Sequence, residues 1–358
     1  MRMKRASDRI GMLALALAVA SVAGADESQK WLERMNQALT TLNYDGVFSH
    51  WQGGKVETLH IIHRVLDGAV TERLVSLDGS GREFIRTGSE LACYLPDQRT
   101  VLVERQPPAT LLLGSLPNFE AATSEFYEIK AAKRTRLLGR KTQLIVVNPK
   151  DEYRYGYRLW IEESTGMPLR TELCDGQGRV IEQVVFASIT WPSHIPDSAF
   201  KPDVSTQGFN WLREESGPLA AGDPPMMWRA LKLPPGFRMS VRAAQKMPGS
   251  RDPVAHLVFT DGLASVSVFV ESRTHTNHPL SGSVQVGSSS AFTTVIDGHP
   301  VTAVGEVPPE TVQFIANAVK ADPHAAAPVH SPFDSAVPPL DPTPLQLDPS
   351  RGTVPVMH

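Results

Sequence analysis

Short apolar runs of period two, broken at near-regular intervals by Gly-containing turn pairs, limit most severely what this chain can fold into. From residue 44 the runs cover 44–51, 55–65, 69–77, 82–87, 90–95 and 99–104. Between them stand Gly53-Gly54, Asp67-Gly68, Asp78-Gly79-Ser80-Gly81, Thr87-Gly88 and Pro96-Asp97. Period two marks a half-buried strand, and Asx-Gly or Gly-Gly supplies the positive φ of a tight hairpin. Connections this short exclude parallel neighbours, whose crossovers take a dozen or more residues. An antiparallel meander is therefore expected. It pauses at Pro107 to Ser124, read as a loop with a short helix, and resumes over 130–138, 142–148, 152–163, 168–174 and 179–190.

Ahead of the meander, Ser28 to Leu42 places Trp31, Leu32, Met35, Ala38, Leu39 and Leu42 on one helical face. About eleven strands and two helices suggest a large curved sheet or unclosed barrel with helices on its concave face. From Trp191 to Pro225 Pro, Ser, Gly and acidic residues dominate without a sustained period, which reads as linker. Pro225 to Asp322 then predicts a smaller α+β unit, with strands near 237–247, 254–260, 263–273, 284–296 and 300–306. Its last helix opens at Pro308-Pro309-Glu310 and carries Val312, Phe314, Ile315, Ala318 and Val319. The fold class expected is mainly β with α (α+β). The division expected is a domain over 26–205, a linker over 206–224, a second domain over 225–322 and a disordered tail over 323–358, which holds nine prolines.

The first 25 residues read as a secretory signal. Arg2, Lys4, Arg5 and Arg9 precede a short apolar stretch from Gly11 to Val22, and Ala23-Gly24-Ala25 offers a cleavage site. Removal takes four basic residues and Asp8, leaving 31 basic against 37 acidic, so the exported chain is mildly acidic. That balance speaks against a nucleic-acid partner. In an oxidising compartment Cys93 and Cys174 could pair or could stay apart on separate strands.

A search for chemistry returns little. There is no Gly-x-Ser-x-Gly elbow and no His-Glu-x-x-His. Gly282 to Ser288 lacks the lysine of a phosphate loop and reads as a polar hairpin. His60 and His63 fall on opposite faces of a strand, and the loop pair His275 and His278 is short of three zinc ligands. Glu162-Glu163 and Glu214-Glu215 read as solvated. No catalytic residue, metal or cofactor is assigned. Two features rise above background. Lys130, Lys133, Arg134, Arg136, Arg140 and Lys141 are six positives in twelve residues. They suit anionic lipid headgroups or an acidic peptide, or else guard an edge strand by charge. Tyr44, Phe48 and Phe84, with Tyr94 nearby, either line an apolar cavity of the barrel or form an ordinary core.

Several stretches of the text resemble the MucB/RseB family of periplasmic sigma-factor regulators. They are Trp31-Leu32-x-Arg34-Met35-x-x-Ala38 through Leu42-Asn43-Tyr44-x-Gly46-x-Phe48, then Tyr155-x-Tyr157-Arg158-Leu159-Trp160 through Met167-Pro168-Leu169-Arg170. Phe259-Thr260-Asp261-Gly262-Leu263 with Ser265-Val266-Ser267-Val268, and Gly305-Glu306-Val307-Pro308-Pro309-Glu310-Thr311, follow in the family's order. The resemblance implies an N-terminal domain similar to periplasmic lipoprotein carriers and a smaller C-terminal domain. It implies binding to the periplasmic segment of a single-span anti-sigma factor of the RseA/MucA type and shielding from site-one proteolysis, with release by lipopolysaccharide or another lipid. A homodimer is compatible with it. The proline-rich tail departs from the family pattern. Readings from other classes are a lipid or lipoprotein carrier without an anti-sigma partner, and an exported hydrolase.

Overall fold

The computed structural model describes residues 27–79, 81–105, 125–213, 228–245, 253–272 and 281–321. The expected signal segment, the short helix within 107–124, the His275/His278 loop, Glu214-Glu215 and the tail 323–358 lie outside the described residues.

Helix α1 (residues 27–41) precedes the meander. Eleven antiparallel strands follow: β1 (Tyr44–Gln52), β2 (Lys55–Leu66), β3 (Ala69–Ser76), β4 (Glu83–Thr87), β5 (Glu90–Leu95), β6 (Thr100–Arg105), β7 (Tyr127–Leu137), β8 (Arg140–Pro149), β9 (Gly156–Glu162), β10 (Pro168–Cys174) and β11 (Val180–Thr190). With β12 (Asn210–Arg213) they form one sheet in the order β12-β6-β5-β4-β3-β2-β1-β11-β10-β9-β8-β7. The ends, β12 and β7, do not meet, so the barrel is unclosed. Bulges at Val47/Phe48, Ala131/Arg134, Pro168/Arg170 and Leu173/Cys174 add bend and twist.

The buried stripe Trp31, Leu32, Met35 and Leu39 of α1 shares one core with Tyr44, Phe48, Ile61, Ile145, Leu159, Ile161, Met167 and Phe186. We call this the inner face. The helix is tied at its first turn and at its middle. Ser28 Oγ accepts the Ala131 amide at 2.9 Å, and Arg34 Nη2 donates to the Glu163 carbonyl at 2.7 Å.

Two expectations change and one open choice is decided. The linker reading over 206–224 misses β12, which runs parallel to β6. After β11 the chain straps across the outer face, where Ile195 and Phe200 pack on Ile62 and Glu83 accepts the Asp203 amide at 2.9 Å. That crossover is long enough for a parallel partner. Cys93 and Cys174 are free, separated by five strands of the sheet. Glu162 is buried, not solvated: its carboxylate organises the 163–166 turn, accepting the Ser164 and Thr165 amides and hydroxyls at 2.7–3.1 Å. Burial alone would raise its pKa, but these hydrogen bonds hold it below the usual carboxylate range.

The C-terminal part builds β13 (Trp228–Ala230), β14 (Arg238–Gln245), β15 (Val254–Thr260), β16 (Ser265–Val270), β17 (Gly282–Val286), β18 (Ser289–Ile296), β19 (His299–Gly305), helix α2 (Pro309–Ala318) and β20 (Val319–Ala321). Six of the strands pair as β14-β15-β16-β19-β18-β17, and β13 pairs with β20. The run expected as one strand over 284–296 is the hairpin β17–β18, since Gly287 at φ 60° turns the chain. Val319 leaves the expected helix for β20. Leu257, Phe259, Val266, Val268, Val301, Ala303, Val312 and Ile315 fill the core between sheet and α2.

Candidate functional site

The basic cluster folds as the β7–β8 hairpin at one edge of the large sheet. Leu138 and Gly139, both at positive φ, make its turn. Lys130, Lys133, Arg134, Arg136 and Lys141 are exposed and Arg140 is half-buried. Lys130 Nζ meets Glu128 at 2.8 Å, and Arg134 Nε lies 3.5 Å from Glu163 and donates to Gln143 Oε1 at 3.2 Å. Arg136 donates to the Gly139 carbonyl, and the Arg140 guanidinium stacks 4.3 Å over the Trp191 ring. The structure therefore gathers all six on one hairpin, five of them exposed, with Arg134, Arg136 and Lys141 on the side of Ile145 and Lys130 on the other.

The aromatic set is only partly brought together. Register pairs Phe48 with Leu59, Ile61 with Leu74 and Leu74 with Phe84, which puts Tyr44, Phe48 and Phe84 on the inner face. Tyr94 pairs with Glu83 and so projects to the outer face. There it packs with Ile85, Val101 and Val103 and meets Trp211 of β12 edge-on at 6.3 Å. Tyr44 and Phe48 are core residues against α1. Phe84 is half-buried and continues a strip of half-buried Leu74, Cys93, Leu95 and Leu102 across β3–β6.

Between the two regions sits a buried polar group. His63 stacks on Tyr44 at 4.6 Å with rings parallel, and its Nδ1 bonds the Leu42 carbonyl at 2.8 Å. Its Nε2 and the Tyr44 hydroxyl have no hydrogen-bond partner among the described residues. Burial pushes the His63 pKa down to about 4, so the ring is neutral with the proton on Nδ1. On the same face Arg86 Nε lies 3.3 Å from Glu72, both fully buried.

A second region, which sequence reasoning missed, joins the two sheets. Arg154 lies in the bend before β9, not in the strand expected over 152–163, and is fully buried. Its Nη1 donates to Asp261 Oδ2 at 2.7 Å, its Nε to Asp151 at 3.0 Å, and its Nη2 to the Pro235 carbonyl. The Phe126, Tyr127 and Phe237 rings surround the guanidinium within 5.5 Å, and Tyr127 donates to Asp261 at 3.1 Å. Asp261 also closes its own turn through the Leu263 and Ala264 amides. The Asp-Gly pair was legible as a hairpin turn, but nothing in its spacing pointed to an arginine 107 residues away. Gly236, at φ 80°, is required here, because a Cβ would fall 2.3 Å from the Phe126 ring.

An unclosed, almost wholly antiparallel sheet with a helix on its inner face is joined through a buried ion pair to a smaller α+β unit. Residues 27–204 match the MucB/RseB N-terminal domain and residues 222–320 the MucB/RseB C-terminal domain. The chain belongs to the MucB/RseB family. It is 30% identical to the sigma factor AlgU regulatory protein MucB of Pseudomonas aeruginosa over 336 residues, covering 90% of this chain and 99% of the relative. It is 27% identical to the sigma-E factor regulatory protein RseB of Escherichia coli K12, over 84% of this chain and 93% of that one. Among solved structures, the P. aeruginosa MucA/MucB complex superposes with a TM-score of 0.66 at 27% identity, covering 84% of this chain and 100% of that chain. MucB in complex with MucA(peri) gives 0.65 at the same identity and coverage of each chain.

Proposed function

We propose that this protein is a periplasmic negative regulator of a sigma-E-type envelope stress response. It binds the periplasmic part of a single-span anti-sigma factor of the RseA/MucA type and shields it from site-one proteolysis. The observation that carries this reading is similarity over nearly the whole length to MucB, together with likeness to MucB chains solved with MucA. The family consists of regulatory proteins, and the reading assigns no catalytic step to any residue. It takes residues 1–25 as a signal removed on export and 26–205 and 225–322 as the two domains.

Within this reading the basic hairpin of Lys130, Lys133, Arg134, Arg136, Arg140 and Lys141 meets anionic headgroups. The half-buried strip that Phe84 shares with Leu74, Leu95 and Leu102 meets acyl chains, beside Tyr44 and Phe48. A lipid that binds the free protein better than the partner-bound protein releases the partner, because only differential binding shifts an equilibrium. The test is protection. The periplasmic segment of the anti-sigma factor is exposed to site-one protease with and without the full chain. Cleavage is expected to stop at stoichiometric protein and to resume on adding lipopolysaccharide. Cleavage that proceeds unchanged contradicts the reading.

A further inference from the structure

The two domains meet at a second place besides Arg154, and this one is built from groups that hold protons. The β1–β2 turn of the large sheet touches the β17–β18 turn of the small one: Gln52 lies against Gly287, where a Cβ would fall 2.4 Å from its Cγ. Ser288, fully buried, is the hub. Its hydroxyl lies 2.6 Å from Glu182 Oε2 on β11, receives Gln52 Nε2 at 2.7 Å, and lies 3.4 Å from Glu306 Oε1 just beyond β19.

A serine hydroxyl has one proton and two lone pairs. The short contact assigns the proton to Glu182, and Gln52 occupies one lone pair. What remains toward Glu306 is an acceptor. An ionised Glu306 therefore competes with Glu182 for the single hydroxyl proton and sets a like charge beside it, whereas a protonated Glu306 donates into the free lone pair and completes the network. We propose that Glu182, Ser288 and Glu306 form a proton-gated latch between the domains, closed when Glu306 carries a proton and loosened when it ionises, with the Arg154–Asp261 pair as the fixed hinge.

The surroundings fit this assignment. Glu306 as a residue is exposed, and its carboxyl faces Ser288; desolvation there and then the Glu182 charge push its pKa up, with the Ser288 hydroxyl and His50 opposing in part. Glu182 is held low: burial opposes, but His50 at 2.8 Å, Ser288 and Gln52 stabilise its charge. His50 is raised by its bond to Glu182 against the effect of burial, and Glu57 and Glu306 add to the rise. Burial keeps the Tyr157 hydroxyl protonated. Glu172 is paired with Arg158 and Arg170. A cavity of about 10 Å³, lined by Tyr157, Glu172, Glu182, Gln183 and Glu306, lies beside the network, room for about one water. Because Glu306 takes up a proton more readily in the docked state, docking is strongest below the ordinary carboxylate range and weakens as pH rises through the raised value.

Hydrogen exchange on the full chain tests this, with rates corrected for intrinsic pH dependence. Between pH 5 and pH 8.5, amides of 284–290 are expected to lose protection by about tenfold, an ordinary size for coupling between linked sites. Amides of 259–264 beside Arg154 are expected to keep theirs. Glu306→Gln, whose amide donates to Ser288 at any pH, is expected to hold 284–290 protected throughout. Ser288→Ala is expected to leave it unprotected throughout. Protection of 284–290 that does not change with pH in the wild-type chain overturns the latch, and so does a wild-type pH response that survives in either variant.

Discussion

On the inner face of the large sheet, β7–β11 with β1 and β2 press against α1, while β3–β6 carry a half-buried strip and a buried Glu72–Arg86 pair. The same meander builds both halves, with the same turns and the same alternation. In the first half most of the inward apolar positions join one core with the helix stripe. The small domain is added on that side through Phe126, Tyr127 and Leu263, which pack on this core. In the second half the strap 191–209 covers the outer face, and ion pairs tie it: Arg73 bridges Glu83 and Asp203 at 2.8 and 2.6 Å. The contrast separates a filled core from a strip left half-covered. Apolar area removed from water stabilises the first half at roughly 25 cal/mol per Å². The second half keeps the apolar side chains of that strip only partly covered.

The sharpest way to break the comparison is at the junction. Arg154→Met leaves Asp261 buried without a counter-charge and should cost about 3–5 kcal/mol. In urea unfolding it should separate the small domain's transition from the large one's, while Leu102→Ala on the far half leaves the transitions together. Next, Leu32→Ala under α1 should cost about 3–4 kcal/mol, the usual price of emptying a full core position. Leu102→Ala should cost less than about 1 kcal/mol. Equal losses from the two leucines would erase the distinction.

The seam itself is sensitive to acid. The folded His63 pKa of about 4 lies below its ordinary 6.5, so the unfolded chain binds the extra proton between those values. This contribution is fully present above pH 6.5, is lost as pH falls toward 4 and then levels off, about 3 kcal/mol in all. His63→Phe should flatten that segment of a stability-against-pH curve. The smallest effect belongs to the edge. Reversing Arg134 and Arg136 to Glu should change stability by less than about 0.5 kcal/mol, since both are exposed. It should nonetheless suppress lipopolysaccharide-triggered release of the anti-sigma segment, read by fluorescence anisotropy. Unchanged release removes the headgroup role.

The meander was legible because hairpins write themselves locally: Gly53-Gly54 and Asp67-Gly68 fix their strands with positive φ. The stripe of α1 was legible for the same reason. Which face is inward was not. Phe84 and Tyr94 look alike in the text, and only the pairing of Glu83 with Tyr94 sends the second to the outer face. β12 has no period because a four-residue edge strand is set by its partner β6. Glu162 reads as solvated because its carboxylate is enclosed by the Ser164 and Thr165 groups of the turn that follows it, a closure with no periodic signal. Arg154–Asp261 and Glu182–Ser288–Glu306 join residues far apart in sequence, and ion pairs leave no periodic trace.

The central claim is that this chain captures an anti-sigma factor. Titration calorimetry of the full chain with the periplasmic segment of its single-span anti-sigma protein tests it most directly. Saturable binding, weakened when lipopolysaccharide is added first, is the predicted result. A flat titration at every concentration would contradict it.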